Sequence, residues 1–142
     1  MIDETKTAEI KRIVIDFLYK MTITPVSLEL MLSHAEPSAD TDQENKKRAD
    51  AVNIEITLHE PQFLIGQNGQ TLFELERILR IILNKKLQEN FYLNIDINNY
   101  KSKKIEYLRA LAKESAESVI STGEKKELPP MPAYERRVIH KE

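Results

Sequence analysis

Apolar side chains recur along this chain with two different periods. Between residues 6 and 21, Ile10, Ile13, Val14, Phe17, Leu18 and Met21 share one helical stripe, with Lys11, Arg12 and Lys20 off it. Thr22 to Pro25 breaks that period. From Val26 to Leu32 the spacing becomes two: Val26, Leu28, Leu30 and Leu32 alternate with Ser27, Glu29 and Met31, as in a strand. Ala35 to Asp50 has no apolar period and reads as a mobile hairpin loop, its Lys46-Lys47-Arg48 triplet a solvated charge run sooner than a phosphate contact. Val52, Ile54, Ile56 and Leu58 then alternate with Asn53, Glu55 and Thr57 as a second strand. Proline suits a first helical turn, where its missing N–H costs nothing, so Pro61 to Ile65 is predicted as one turn of helix.

The strongest helical signal runs from Thr71 to about Asn84. Leu72, Leu75, Ile78, Leu79 and Ile82 line one face, and Ile81 and Leu83 widen the arc, which predicts burial on more than one side. Phe91, Leu93, Ile95 and Ile97 alternate with Tyr92, Asn94, Asp96 and Asn98 as a third strand. Lys101 to Ser121 is a second long helix striped by Ile105, Leu108, Leu111, Ala112, Ala116, Val119 and Ile120, and Gly123 is its glycine stop. Glu124 to Pro132 reads as a charged, proline-containing linker. Ala133 to Glu142 starts another helix, expected to end before it can pack on anything.

Between the one-turn helix and the long one lies Leu64-Ile65-Gly66-Gln67-Asn68-Gly69-Gln70-Thr71-Leu72. The chain has three glycines in 142 residues, and two are in this loop. Glycine supplies backbone freedom and lets another backbone approach closely. The free N–H groups at the following helix start, near Gln70 and Thr71, favour anions. A nucleic-acid backbone passing over the loop fits both features. Bases would then lie between the short helix and the adjacent strand, near Leu64, Ile65 and Leu72. The plainer alternative is a tight helix-turn-helix connection.

Charge refines this picture. Net charge is −2, so the chain is no polycation. Residues 1–69 carry 7 basic and 12 acidic side chains, residues 70–142 carry 14 and 11, and the basic excess begins where the glycine loop ends. Arg77 lies on the helix after the loop. Lys101, Lys103 and Lys104 open the second long helix, where cations are electrostatically unfavourable, and read either as phosphate contacts or as an exposed polar face. Cysteine is absent, which excludes disulfides and thiolate metal sites. The acidic start lacks a signal-peptide pattern, and no apolar run approaches a membrane span. A cytoplasmic protein without membrane insertion is the expectation. His34, His59 and His140 lie far apart with no second histidine at ligand spacing, so neither metal nor cofactor is expected. Glu74 and Glu76 are predicted on different helix faces, and the loop lacks the Lys-Ser/Thr of a nucleotide-binding loop, so no catalytic residues and no enzyme are expected.

The order helix, strand, strand, short helix, Gly-x-x-Gly, long helix, strand, helix resembles the K-homology (KH) domain in its prokaryotic type II arrangement. That implies an α+β fold, a three-stranded sheet with helices on one face plus a long C-terminal helix, and a loop that clamps about four nucleotides. Three segments together resemble the bacterial Jag family, also called KhpB or SpoIIIJ-associated proteins. They are the loop, Leu93-Asn94-Ile95-Asp96-Ile97-Asn98-Asn99-Tyr100, and Met131-Pro132-Ala133-Tyr134-Glu135-Arg136-Arg137-Val138-Ile139-His140. The last resembles the start of a second domain, named for an arginine and a histidine separated by three residues, here Arg136 and His140. In that family the two domains bind RNA, with single-stranded nucleic acid expected at the second.

The resemblance implies three regions: a KH type II domain at 1–99, a linker helix at 100–123, and a linker with the shortened start of the Arg-x-x-x-His domain at 124–142. It implies a single-stranded RNA-binding module, with Leu64, Ile65, Gly66, Gln67, Asn68, Gly69, Gln70, Thr71, Arg77, Lys101, Lys103 and Lys104 at RNA. A role in RNA regulation tied to the cell envelope or division goes with it, as does pairing with a small stand-alone KH protein or a second copy. Two departures bear on this. The family's loop usually carries basic residues between its glycines, and here Gln67 and Asn68 are neutral, so binding should be weaker and less salt-sensitive. The second domain is cut short two residues after His140, leaving Arg136 and His140 as a remnant. A KH-based protein-interaction or dimerisation module with weak or no RNA binding is the alternative.

Overall fold

The computed structural model describes residues 2–34 and 50–142. The hairpin loop expected from Ala35, with its Lys46-Lys47-Arg48 triplet, lies outside the described residues apart from Asp50, which opens a strand. The chain forms two compact units, Met1–Asn98 and Asn99–Glu142.

The first unit opens with helix α1, Glu4–Lys20. Asp3 caps it by accepting the Lys6 N–H at 2.9 Å. That hydrogen bond is the main reason the Asp3 carboxyl titrates below its ordinary value. Ile10, Ile13, Val14 and Leu18 are buried along its predicted stripe. Strands β1, Ser27–His34, and β2, Asp50–Thr57, pair antiparallel in unbroken register from Ser27↔Thr57 to His34↔Asp50. A one-turn helix α2, Gln62–Ile65, leads through a 3₁₀ turn at Gln67–Gly69 into helix α3, Gln70–Leu87. Strand β3, Tyr92–Ile97, then lies parallel to β2, giving a sheet ordered β1-β2-β3. This is the α+β, three-stranded arrangement that the periodicities imply.

The core fills one side of the sheet. Val52, Ile54, Ile56, Leu93, Ile95 and Ile97 are buried there with Ile10, Val14 and Leu18 of α1 and Leu72, Leu75, Leu79 and Leu83 of α3. On the other side the alternate residues form a polar ladder: Asn94 Nδ2 donates to Asn53 Oδ1 (3.1 Å), and Asn53 Nδ2 to Ser33 Oγ (2.9 Å). Two expectations need correction. Val26 precedes the strand and is exposed, although its N–H bonds the Thr57 carbonyl at 2.8 Å. Helix α3 is not buried on more than one side. Ile78 and Ile81 remain 47% and 58% exposed, because a helix lying on a single sheet has only one stripe covered, and 72-75-79-83 is that stripe.

Asn98 closes the end of β2. Its own N–H bonds the Ile56 carbonyl (2.9 Å), its Oδ1 accepts the Leu58 N–H (2.8 Å), and its Nδ2 donates to the Leu58 carbonyl (2.9 Å). The residue sits in the left-handed region (φ 49°), where asparagine is among the few tolerated side chains. Its amide thus extends the ladder by one residue and fixes where the chain leaves the sheet toward α2.

The second unit holds helix α4, Tyr100–Thr122, and helix α5, Ala133–Lys141. Gly123 ends α4 in the left-handed conformation (φ 67°), its N–H on the Val119 carbonyl at 2.9 Å, as its stop role requires. Of the predicted apolar stripe only Leu108 is buried, and Val119 and Ile120 are exposed. The last helix does pack, contrary to expectation. Glu135 is buried against α4, where its Oε1 lies 3.8 Å from Lys104 Nζ, and Glu142 reaches Arg109 and Lys113 at 3.8 and 3.9 Å. The anchors are carboxylates, which an apolar-periodicity reading does not register.

Candidate nucleic-acid interface

The glycine loop is built from three left-handed residues in four. Gly66 ends α2 with its N–H on the Gln62 carbonyl (2.9 Å) and takes φ 70°, ψ −173°, a region essentially reserved for glycine. Asn68 (φ 55°) and Gly69 (φ 77°, ψ 11°) are both left-handed, and Gly69 serves as the N-cap of α3. The side chains around them turn outward: Gln67, Asn68, Gln70 and Thr71 are exposed, while Gly69 itself is buried.

Gly66 has a second reason to lack a side chain, and it is internal. A Cβ built there would collide with Oγ1 of Thr71, lie 2.7 Å from its Cβ, and sit 3.1 Å from its backbone nitrogen. The space expected to admit a sugar-phosphate backbone at Gly66 is thus filled by Thr71. What the loop offers outward is the row Gln67, Asn68, Gln70 and Thr71 at the start of α3. No side chain caps that start, and its first turn carries no carboxylate. The first amides of a helix have no intrahelical acceptor and carry partial positive charge.

The remaining expected residues fall in different environments. Leu64 is 2% exposed and Leu72 is fully buried, so both side chains belong to the core and not to a base-contacting surface. Ile65 is half-buried. Arg77 is exposed two turns after Gln70 on the same side of α3. Phe63, not singled out by its pattern, is 73% exposed on α2 and lines an open depression with Met21, Ile23, Leu58, His59 and Leu64. A single helical turn has no period from which its outward residue can be read. Glu76, expected on a different face from Glu74, is half-buried and accepts the Ile95 N–H of β3 at 2.9 Å, while Glu74 is exposed.

In the second unit Lys103 is exposed and Lys101 half-buried. Lys104 is committed inward. It pairs with Glu135 and lies 5.3 Å from the ring centre of Tyr107. The Tyr134 hydroxyl donates to Glu135 Oε1 at 3.1 Å. Burial, then this hydrogen bond and the carboxylate charge, push the Tyr134 phenol far above its usual range, and burial followed by Glu135 raises Tyr100 as well. Arg136 and His140 are both exposed on α5 and line a depression with Lys126, Leu128, Pro130 and Ile139. Glu135 thus sits on the inner face of a helix whose outer face is cationic. Among the described residues no three His, Asp or Glu side chains converge as a metal site, and no helix is long and apolar enough to cross a membrane.

Residues 106–142, most of α4 together with α5, match the R-3-H domain. Over 100 residues, 70% of this chain, the sequence is 38% identical to the RNA-binding protein KhpB of Bacillus subtilis (strain 168), covering 47% of that protein. It is 31% identical over 113 residues to the RNA-binding protein KhpB of Clostridium symbiosum, covering 80% of this chain and 51% of the relative. Against the RNA-binding protein KhpB of Streptococcus pneumoniae serotype 2 it is 26% identical over 143 residues, 98% of this chain and 44% of the relative. The chain spans about half the length of these curated relatives. The names of these relatives and the match of α4 and α5 support the resemblance of this chain to the KhpB, or Jag, family.

Proposed function

We propose that this chain is a non-enzymatic single-stranded RNA-binding module of the KhpB type, with a type II KH fold in its first unit and an Arg-x-x-x-His segment in its second. The observation that carries the reading is the loop. Gly66, Asn68 and Gly69 hold a left-handed turn that presents Gln67, Asn68, Gln70 and Thr71 beside an uncapped, carboxylate-free helix start. Phosphate oxygens would take hydrogen bonds from those side chains and from the first backbone N–H groups of α3. Arg77, on the Gln70 side of α3, adds a cation. An unstacked base finds an apolar platform at Phe63, whose ring stands open beside the loop. In the second unit Arg136, His140, Lys103 and Lys101 are the groups that would meet phosphate, and Lys104 is withdrawn from that role by its pairing with Glu135.

The relatives named RNA-binding protein KhpB support RNA as the ligand. The family resemblance extends the reading to a cytoplasmic location, RNA regulation tied to the envelope or division, and a KH-protein partner. A second reading, a protein-interaction or dimerisation module with weak or no RNA binding, draws on the neutral side chains between the glycines.

The test is the double substitution Gln67→Asp and Asn68→Asp, with single-stranded RNA titrated at two salt concentrations. Aspartate tolerates the left-handed backbone at 68, so the loop keeps its shape. Affinity is expected to fall by about tenfold or more, which is at least about 1.4 kcal/mol. An unchanged affinity in the folded variant would remove the loop from the RNA site. A wild-type chain without salt-sensitive RNA binding would favour the second reading.

A further inference from the structure

The turn after α1 holds a conformation that its residue does not favour. Thr22 has φ 64°, in the left-handed region. Glycine or asparagine ordinarily ends a helix this way, and a β-branched side chain there is strained. The turn is closed by backbone groups alone: the Thr22 N–H meets the Tyr19 carbonyl and the Ile23 N–H the Leu18 carbonyl, both at 2.9 Å. A glycine would make the same bonds without strain. What threonine adds is a side chain, and Thr22 lines the open depression beside Phe63. Strain of this kind gathers at functional sites. The depression has a volume of about 460 Å³, a size usual for small-ligand sites. Leu58 and Leu64, both buried, make it apolar, the Phe63 ring stands open in it, and His59 and Glu60 are exposed polar side chains along it.

We infer that this depression takes one unstacked base of the RNA and that Glu60 selects guanine, an inference that rests on the RNA-binding reading and deepens it. A carboxylate is a poor neighbour for phosphates, which it repels. It is a good neighbour for one base edge. Guanine presents its N1–H and one N2–H side by side, so the two oxygens of an acceptor-only carboxylate take two parallel hydrogen bonds. Adenine and cytosine set a ring-nitrogen lone pair next to their amine, and uracil flanks its N3–H with two carbonyls. Each of these turns an acceptor toward the carboxylate, and only guanine matches it. Phe63 supplies the stacking face, which is indifferent to base identity. The Thr22 hydroxyl and the His59 ring offer donors for the O6 and N7 acceptors of the same base. Phe63 precedes Gly66 by one helical turn, so a base on the ring and a phosphate at the loop belong to one short strand.

The test uses the full chain and short oligouridine strands that differ at one central position, which carries guanine, adenine, cytosine, uracil or inosine. The guanine strand is expected to bind about tenfold more tightly than the adenine strand. Inosine keeps N1–H and lacks the 2-amino group, so its strand should fall between them. Glu60→Gln, at an exposed position, retains one acceptor and loses the pair. It should bring the guanine-to-adenine ratio toward unity without weakening the adenine strand. Phe63→Ala should weaken every strand by about tenfold, and Phe63→Tyr should restore binding. Thr22→Gly should raise the urea midpoint by relieving the turn and lower affinity for the guanine strand. Equal affinity for all five strands, or a guanine preference that survives Glu60→Gln, would overturn the inference and leave the RNA reading standing. Absence of salt-sensitive binding to any strand would overturn both.

Discussion

The two units stabilise their helices by different means. In Met1–Asn98, α1 and α3 are held by a continuous set of buried aliphatic side chains, with Leu79, Ile95, Ile97 and Leu18 fully enclosed. In Asn99–Glu142 a single aliphatic residue, Leu108, is buried, and α5 is fastened by carboxylates: Glu135 at Lys104 and Tyr134, Glu142 at Arg109 and Lys113. Apolar contact is largely indifferent to dilute salt and to charge. Ion pairs are screened when exposed and leave a stranded charge when one buried partner is lost. The loop unit should therefore hold its geometry across conditions in which the α4–α5 pair loosens.

The sharpest way to break this contrast is within the apolar core. Leu79→Ala removes a fully buried side chain beneath the centre of α3 and should cost about 2–5 kcal/mol, read as a lower urea midpoint. Amide exchange should show the loss in α1, α3 and the sheet, with α5 unaffected; equal loss in α5 would show that the units unfold together. Gly66→Ala should come next. It forces a side chain into a glycine-only conformation and against Thr71, and about 1–3 kcal/mol of strain is expected together with weaker RNA binding. Gly69→Asn, in an ordinary left-handed position, should be tolerated far better.

In the second unit Glu135→Ala leaves Lys104 and the Tyr134 hydroxyl without this acceptor. About 1–3 kcal/mol of α5 docking should be lost, seen as faster exchange of the α5 amides with the first unit unchanged. Glu135→Gln, which retains an acceptor, should lose less. The smallest effect is alkaline. Tyr134 titrates above its ordinary value of 10.0 when folded, so its contribution is complete below pH 10.0 and is lost as pH rises toward the folded value. Tyrosinate absorbance should therefore lag in the wild type, and α5 exchange should accelerate above that pH before α3 does. Tyr134→Phe should reduce the lag.

Much of the first unit is legible in its pattern. Alternation at 28–32, 52–58 and 91–97 and the stripes at 10–18 and 72–83 give its sheet and long helices, because burial on one face imposes a period. The glycines of the loop and Gly123 are equally readable, since backbone regions closed to other residues leave few choices. The candidate site is less so. Leu64 is apolar next to the loop and is core. Phe63, its neighbour, is exposed, and one helical turn carries no phase to separate them. Lys104 and Glu135 look like surface charges, and their pairing joins two helices far apart along the chain.

By itself the sequence determined which segments are helix and strand, their order, and a loop that must turn left-handed at Gly66 and Gly69. These are local properties, set by steric limits on each residue and by the repeat of apolar positions. Tertiary structure decided the rest. It placed Thr71 in the space above Gly66, closed the β3 edge with Glu76, and turned Glu135 inward. Each of these depends on which distant groups come within hydrogen-bonding or van der Waals reach, and chain position alone does not contain that information.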